Sequence, residues 1–165
     1  MTGLHNQLTS YFATLLTTSA FVLALVSAGC QGTRGSGNPY PSGKTLNISR
    51  DIQTPALIIA TRSTCKFCTA SAPFYRSLAK VPTVWIATGE DATTNRAYLQ
   101  SLGLMTSTVI RHDTAGLAAL RATPTLVLID KERRVVKSWV GKLSPAGEAD
   151  VRMRLRAQGL LPPGT

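Results

Sequence analysis

Two cysteines three residues apart, Cys65 and Cys68, stand between a run that reads as a buried strand and a run that reads as a helix. The strand is Ala56-Leu57-Ile58-Ile59-Ala60; the helix runs from Thr69 to Lys80. No other feature constrains the chain as much. At this spacing both thiols can sit at the first turn of a helix and close a disulfide with each other. A strand, C-x-x-C and a helix in succession is a context in which the motif points to redox chemistry. Two other readings compete. A structural zinc site needs four Cys or His ligands, but only Cys30, His5 and His112 remain. Two unrelated core cysteines would carry no chemistry at all.

The rest of the pattern follows from periodicity and punctuation. Thr83 to Ala87 reads as the next strand by its β-branched and aromatic content. Asp91 is placed to N-cap a helix running to about Leu102, with Gly103 as its stop. A short strand at Thr108 to Ile110 precedes a helical turn from about Thr114 to Leu120. Thr125 to Ile129 reads as a fully buried strand. A turn at Asp130 to Arg134 then leads to the strand Val135 to Val140. Ser144 and Pro145 supply an N-cap and a first-position proline for a last helix ending near Gly159. The order βαβα, then ββα, predicts an α/β domain whose mixed central sheet is flanked by helices on both faces.

The 165 residues have room for one domain, and their net charge is +10. Every charged residue lies beyond residue 30. The densest basic clusters, Lys131 to Arg134 and Arg152, Arg154 and Arg156, are not interleaved with aromatics, and no nucleic-acid motif accompanies them. They read as solvated surface first, as attraction to anionic lipid or an acidic partner second, and as a nucleic-acid surface last.

Residues 1–30 read as a signal or anchor segment. No charge falls between Tyr11 and Gly29, and Ala20 to Val26 resembles a signal-peptide hydrophobic region. Ser27-Ala28-Gly29-Cys30 resembles a bacterial lipoprotein cleavage box, in which Cys30 becomes the lipidated first residue. It departs from that pattern in having Ser27 three before the cysteine and no Lys or Arg in residues 1–10. A retained anchor, an ordinary cleaved signal and a cytoplasmic domain behind an anchor are the alternatives. Residues 31–45, rich in Gly, Ser and Pro, read as a flexible tether. Residues 46–158 are the domain and 159–165 a tail. This layout predicts an extracytoplasmic protein held near a membrane, periplasmic where there is an outer membrane.

Over residues 46–158 the chain resembles the thioredoxin-like superfamily, and within it the membrane-tethered thiol–disulfide oxidoreductases of the TlpA/ResA type. Three features carry the resemblance. The first is Cys65-Lys66-Phe67-Cys68 with Pro73 five residues after the second cysteine. The second is Ala122-Thr123-Pro124-Thr125-Leu126-Val127-Leu128-Ile129-Asp130, similar to the family's cis-proline loop entering a core strand. The third is the hairpin strand from Val135 with Gly141 at its end. The chain departs from family patterns at Thr64, where many members carry Trp. It departs again at Ile59 and Ser71, where some carry a carboxylate.

The resemblance implies a protein-disulfide oxidoreductase cycling Cys65 and Cys68 between dithiol and disulfide. Cys65, at the helix N-terminus with Lys66 and Arg62 nearby, is expected to be the nucleophile with a lowered pKa. Cys68 is expected to be buried and to resolve the mixed disulfide. Thr123, Pro124, Lys66 and Phe67 are expected to meet the substrate, and Tyr75 is either core or a border of that surface. Glu90 is a candidate for proton handling, with an ordinary helix-start acid as the alternative. Thr before the proline favours reduction. An oxidant or isomerase, a peroxidase of the same fold and a non-enzymatic binding module are the rivals. For a peroxidase the position three before the reactive cysteine should be Thr, and here it is Arg62. No flavin or nicotinamide motif is present, so no cofactor and no metal is expected. Electrons would come from a separate protein donor, with protein thiols and disulfides as substrates. The protein is expected to be a monomer, because nothing resembles a dimerisation domain.

Overall fold

The computed structural model describes residues 40–104 and 108–163. The predicted signal segment with Cys30, and the tether up to residue 39, lie outside the described residues.

Five strands form one sheet in the order β3-β2-β1-β4-β5. They are β1 (Ala56–Thr61), β2 (Thr83–Ala87), β3 (Val109–Arg111), β4 (Thr125–Ile129) and β5 (Val135–Val140). Every residue of β1 and β4 is buried, as expected of central strands covered on both faces, whose sequences read as unbroken apolar runs. β1 runs parallel to β2, and β2 to β3, while β4 is antiparallel to both β1 and β5. The tip joining β4 to β5 is held by Asp130, whose Oδ1 accepts from the backbone N–H groups of Glu132 and Arg134.

Side chains alternate between two cores. Leu57, Ile59, Trp85, Leu126 and Leu128 face one cluster. Ile58, Ala60, Val84, Ile86 and Val127 face the other. Truncating a fully buried residue such as Ile59 to Ala would cost about 2–5 kcal/mol. Helices α2 (Ala72–Ser77), α3 (Ala92–Ser101) and α4 (Pro145–Ala157) place Phe74, Tyr75, Leu99, Val151 and Leu155 in the first cluster. The second is closed by Tyr40, Leu46, Ile48 and Ile52 and by Ala115, Leu117 and Leu120. The helical turn expected at Thr114 to Leu120 is a succession of turns instead. Gly116 has φ +74°, and a Cβ there would run into the Asn47 carbonyl. A left-handed residue in close backbone contact is incompatible with a continuing helix.

The helix expected over Thr69 to Lys80 is two short ones. α1 (Lys66–Ala70) begins inside the cysteine motif, and α2 follows Ser71. Pro73 lies in the first turn of α2; it has no N–H to give the preceding turn, and its ring crowds that turn's carbonyl. Ser71 takes up the slack. Its N–H reaches the Phe67 and Cys68 carbonyls, and its Oγ donates to the Phe67 carbonyl at 2.8 Å.

The domain also exceeds its predicted limits. Residues 40–45, assigned to the tether by composition, run along the β5 edge. Tyr40 is buried, and Gly43 and Lys44 exchange backbone hydrogen bonds with Val135. At the other end Leu160 and Leu161, assigned to the tail, pack against the first core. Gly159 (φ +70°) turns the chain back, so that the Leu160 N–H reaches the Leu155 carbonyl.

Candidate redox site

β1 ends at Thr61, and the turn of residues 62–65 delivers Cys65 to the N-cap of α1. Cys65 and Cys68 are joined by a disulfide, with Cα atoms 5.2 Å apart. The Cys65 N–H donates to the Arg62 carbonyl at 3.0 Å. Cys65 Sγ accepts from the Cys68 N–H, also at 3.0 Å. Cys68 is 0% exposed, whereas Cys65 is only half-buried. With just five residues, α1 offers Cys65 nearby N–H groups more than a long helix dipole.

The loop of residues 121–124 leaves the sheet beside this turn. Ala60 pairs with Thr125 across β1 and β4, so the end of β1 and the start of β4 lie at one edge. The Thr123–Pro124 peptide bond is cis, Pro124 is buried and Thr123 is half-buried. The Gly141 N–H donates to the Pro124 carbonyl at 2.8 Å, which ties in the loop after β5. Thr125 Oγ1 donates to the Ala122 carbonyl at 2.8 Å. A second cis bond, Thr54–Pro55, precedes β1 at the opposite end, with no local signal for it in the sequence.

The other sequence candidates are distributed around this edge. Lys66 is exposed, and Phe67 is 60% exposed. Tyr75 is core: it is 3% exposed and meets Trp85 edge-on. Both tryptophans are buried. Arg62 turns away from the sulfurs, because its Nε donates to the Thr88 carbonyl at 2.7 Å. Its guanidinium fills the space a side chain would need at Gly89.

Glu90 has the most developed surroundings. Its carboxylate accepts from the Ser63 N–H at 2.9 Å, from Ser63 Oγ, and from Asn95 Nδ2 at 2.6 Å. No hydrogen bond of Glu90 reaches either sulfur. Asn95, 0% exposed, in turn accepts from Thr61 Oγ1 at 3.0 Å. The chain Thr61–Asn95–Glu90–Ser63 thus ties the turn before Cys65 to the first turns of α3. Sequence reasoning missed Ser63 and Asn95. A signal existed: Asn95 lies four residues before Leu99, a polar side chain on the buried stripe of an amphipathic helix.

No known family profile matches the chain, and no curated protein matches it. Solved structures do. A structure titled a putative thiol:disulfide interchange protein DsbE from Chlorobium tepidum is 20% identical, with a TM-score of 0.51 over 72% of this chain and 98% of that one. A secreted Mycobacterium tuberculosis disulfide oxidoreductase homologous to E. coli DsbE is 19% identical, with a TM-score of 0.51 over 65% and 84%. The thioredoxin domain of a thiol-disulfide oxidoreductase from Bacteroides vulgatus is 11% identical, with a TM-score of 0.50 over 70% and 97%. The domain therefore has the thioredoxin-like fold. Within that fold this chain carries a C-x-x-C disulfide at the N-cap of its first helix, with a cis-proline loop at the same sheet edge.

Proposed function

We propose that the protein is a thiol–disulfide oxidoreductase that reduces protein disulfides outside the cytoplasm. The observation that carries this reading is the unequal burial of the bonded pair, with Cys65 reachable and Cys68 sealed beneath it. In the reduced protein the Cys65 thiolate attacks a substrate disulfide. One substrate sulfur leaves as a thiolate and a mixed disulfide forms. Cys68, deprotonated, attacks Cys65 Sγ, releases the second substrate sulfur and closes the Cys65–Cys68 disulfide. Two electrons have then passed to the substrate, and a separate dithiol protein restores the starting state. Thr123 and Pro124 offer backbone to an extended substrate strand, while Lys66 and Phe67 border it. Glu90 serves this chemistry by anchoring the turn that carries Cys65.

No helix among the described residues is long and apolar enough to cross a membrane. The extracytoplasmic, tethered placement rests on the composition of residues 1–30, with Cys30 as the candidate lipidation site, and the monomeric state on the sequence alone.

The reduction potential of Cys65–Cys68 in the full chain, equilibrated against glutathione or dithiothreitol, tests the reading. A value near that of thioredoxin, about −270 mV, supports a reductant. A value well above about −200 mV makes the protein an oxidant or isomerase. The absence of a reversible couple sinks the oxidoreductase reading and promotes a binding module.

A further inference from the structure

The chain has eight acidic side chains against eighteen Lys and Arg, and most of the acids are engaged away from the cysteines. Ion pairs gather at the β4–β5 tip, where Arg134 meets Asp130 at 3.0 Å, and beside β3, where Arg111 meets Asp113. They gather again along α4, where Lys137 and Arg154 each meet Asp150 at 2.9 Å. Arg154 is therefore no free basic surface. Arg152, too, lies over the Phe74 ring and donates to Ser77. Near the cysteine motif, Glu90 is taken up by Ser63 and Asn95, and Asp91 caps α3 through the Thr94 N–H.

The three loops that frame Cys65 differ. They follow β1, precede β4 and follow β5. The register Ala60–Thr125–Val140 brings all three to one sheet edge. Each carries or ends at an exposed cation: Lys66 at the start of α1, Arg121 and Lys142. No ion pair among the described residues engages any of them. Residues 61–89, 114–129 and 135–147, the segments that contain these loops, include no Asp or Glu. Phe67 in the first turn of α1 and Val140 at the end of β5, 60% and 52% exposed, lie beside these loops. The rim around the reactive sulfur thus carries exposed apolar and cationic side chains, while the acid at the Cys65 turn, Glu90, is hydrogen-bonded to Ser63 and Asn95 and pairs with none of these cations.

Any partner reacting at Cys65 must bring its own sulfur into contact with it. The residues flanking that sulfur then come within about one Debye length, ~8 Å, of the rim, where charge is poorly screened. We propose that this rim selects protein disulfides flanked by acidic residues, a substrate class that rests on the oxidoreductase reading above. Such complementarity acts mainly on encounter rate and on the rejection of like-charged partners.

The test uses the full chain, reduced and freed of reductant, in a single turnover with two peptide disulfides. The peptides share length and cysteine spacing; one has Asp and Glu beside its cysteines, the other Lys and Arg. At about 20 mM salt the acidic peptide should be reduced about tenfold faster, and at about 0.5 M salt the two rates should agree within about twofold. In Arg121→Glu/Lys142→Glu the low-salt ratio should collapse or invert. Equal rates in low salt, or a preference indifferent to salt and to the double substitution, would overturn the proposal and leave these cations to solvent or a lipid surface. Reduction of neither peptide, where dithiothreitol reduces both, takes down the oxidoreductase reading and the proposal together.

Discussion

The two loops that converge on the disulfide are held in different ways. The Cys65 turn is held by side chains: Ser63 is gripped by Glu90, Glu90 is backed by Asn95, and Arg62 is fixed on the Thr88 carbonyl. The Pro124 loop is held mainly by backbone, through the Gly141 N–H on the Pro124 carbonyl and the entry into buried β4. The first arrangement depends on particular functional groups, and one substitution can loosen it. The second depends on chain path and is less exposed to the identity of any single side chain. The two loops are thereby supported independently.

The largest effect should come from the sulfurs themselves. Cys65→Ser should abolish exchange with a disulfide substrate. Cys68→Ser should keep the first attack and accumulate a mixed disulfide, visible on a non-reducing gel. Full activity in Cys65→Ser would break the assignment of roles to the two cysteines.

Next comes the grip on the Cys65 turn. Glu90→Ala leaves the donors of Ser63 and Asn95 without their acceptor, at a cost of about 2–3 kcal/mol in urea unfolding. It should also slow alkylation of reduced Cys65 by iodoacetamide. Glu90→Gln should fall between the two, since the amide keeps one acceptor oxygen but turns an N–H toward a donor. An alkylation rate unchanged in both variants would show that the turn holds its shape without the carboxylate.

A smaller effect is expected behind the second loop. Asp150 joins α4 to β5, the strand that carries Gly141. Lys137 is the main cause holding its carboxyl down to about 2, and the Trp139 and Arg154 side chains add to it. A depressed native pKa contributes stability above the unfolded value near 4, and that contribution is lost as pH falls through about 2. With the side chain 23% exposed, Asp150→Asn should cost about 1–2 kcal/mol at pH 6. Guanidinium unfolding of the two proteins should converge as pH approaches 2; a gap that persists there would point to lost packing instead of lost charge.

The smallest effect sharpens the contrast. Thr125→Val removes only the hydrogen bond to the Ala122 carbonyl, and should cost about 0.5–1.5 kcal/mol with little change in exchange rate. A rate loss as large as that of Glu90→Ala would mean that the Pro124 loop also depends on its side chains.

The cysteine motif, the strand runs and the caps at Asp91 and Ser144 were legible in the sequence because each is a local preference written within a few residues. Both caps form, with the Asp91 and Ser144 side chains accepting from the Thr94 and Gly147 N–H groups. Pro73 acts on the turn before it and divides the helix expected from Thr69, and the chain at Thr114 takes its path from Gly116, whose shape depends on distant Asn47. Tyr40 was read by the company of its Gly and Pro neighbours, yet it belongs to a core whose other members come from all along the chain.

By itself the sequence determined the spacing of the cysteine pair and the alternation that makes a mixed sheet, since motif spacing and hydrophobic period are local properties. Only the tertiary structure decided that Cys68 is sealed, that Glu90 grips Ser63, and that Lys66, Arg121 and Lys142 share one rim. Those facts depend on strand register, which brings residues more than fifty positions apart to one edge of the sheet, and no local preference encodes a register.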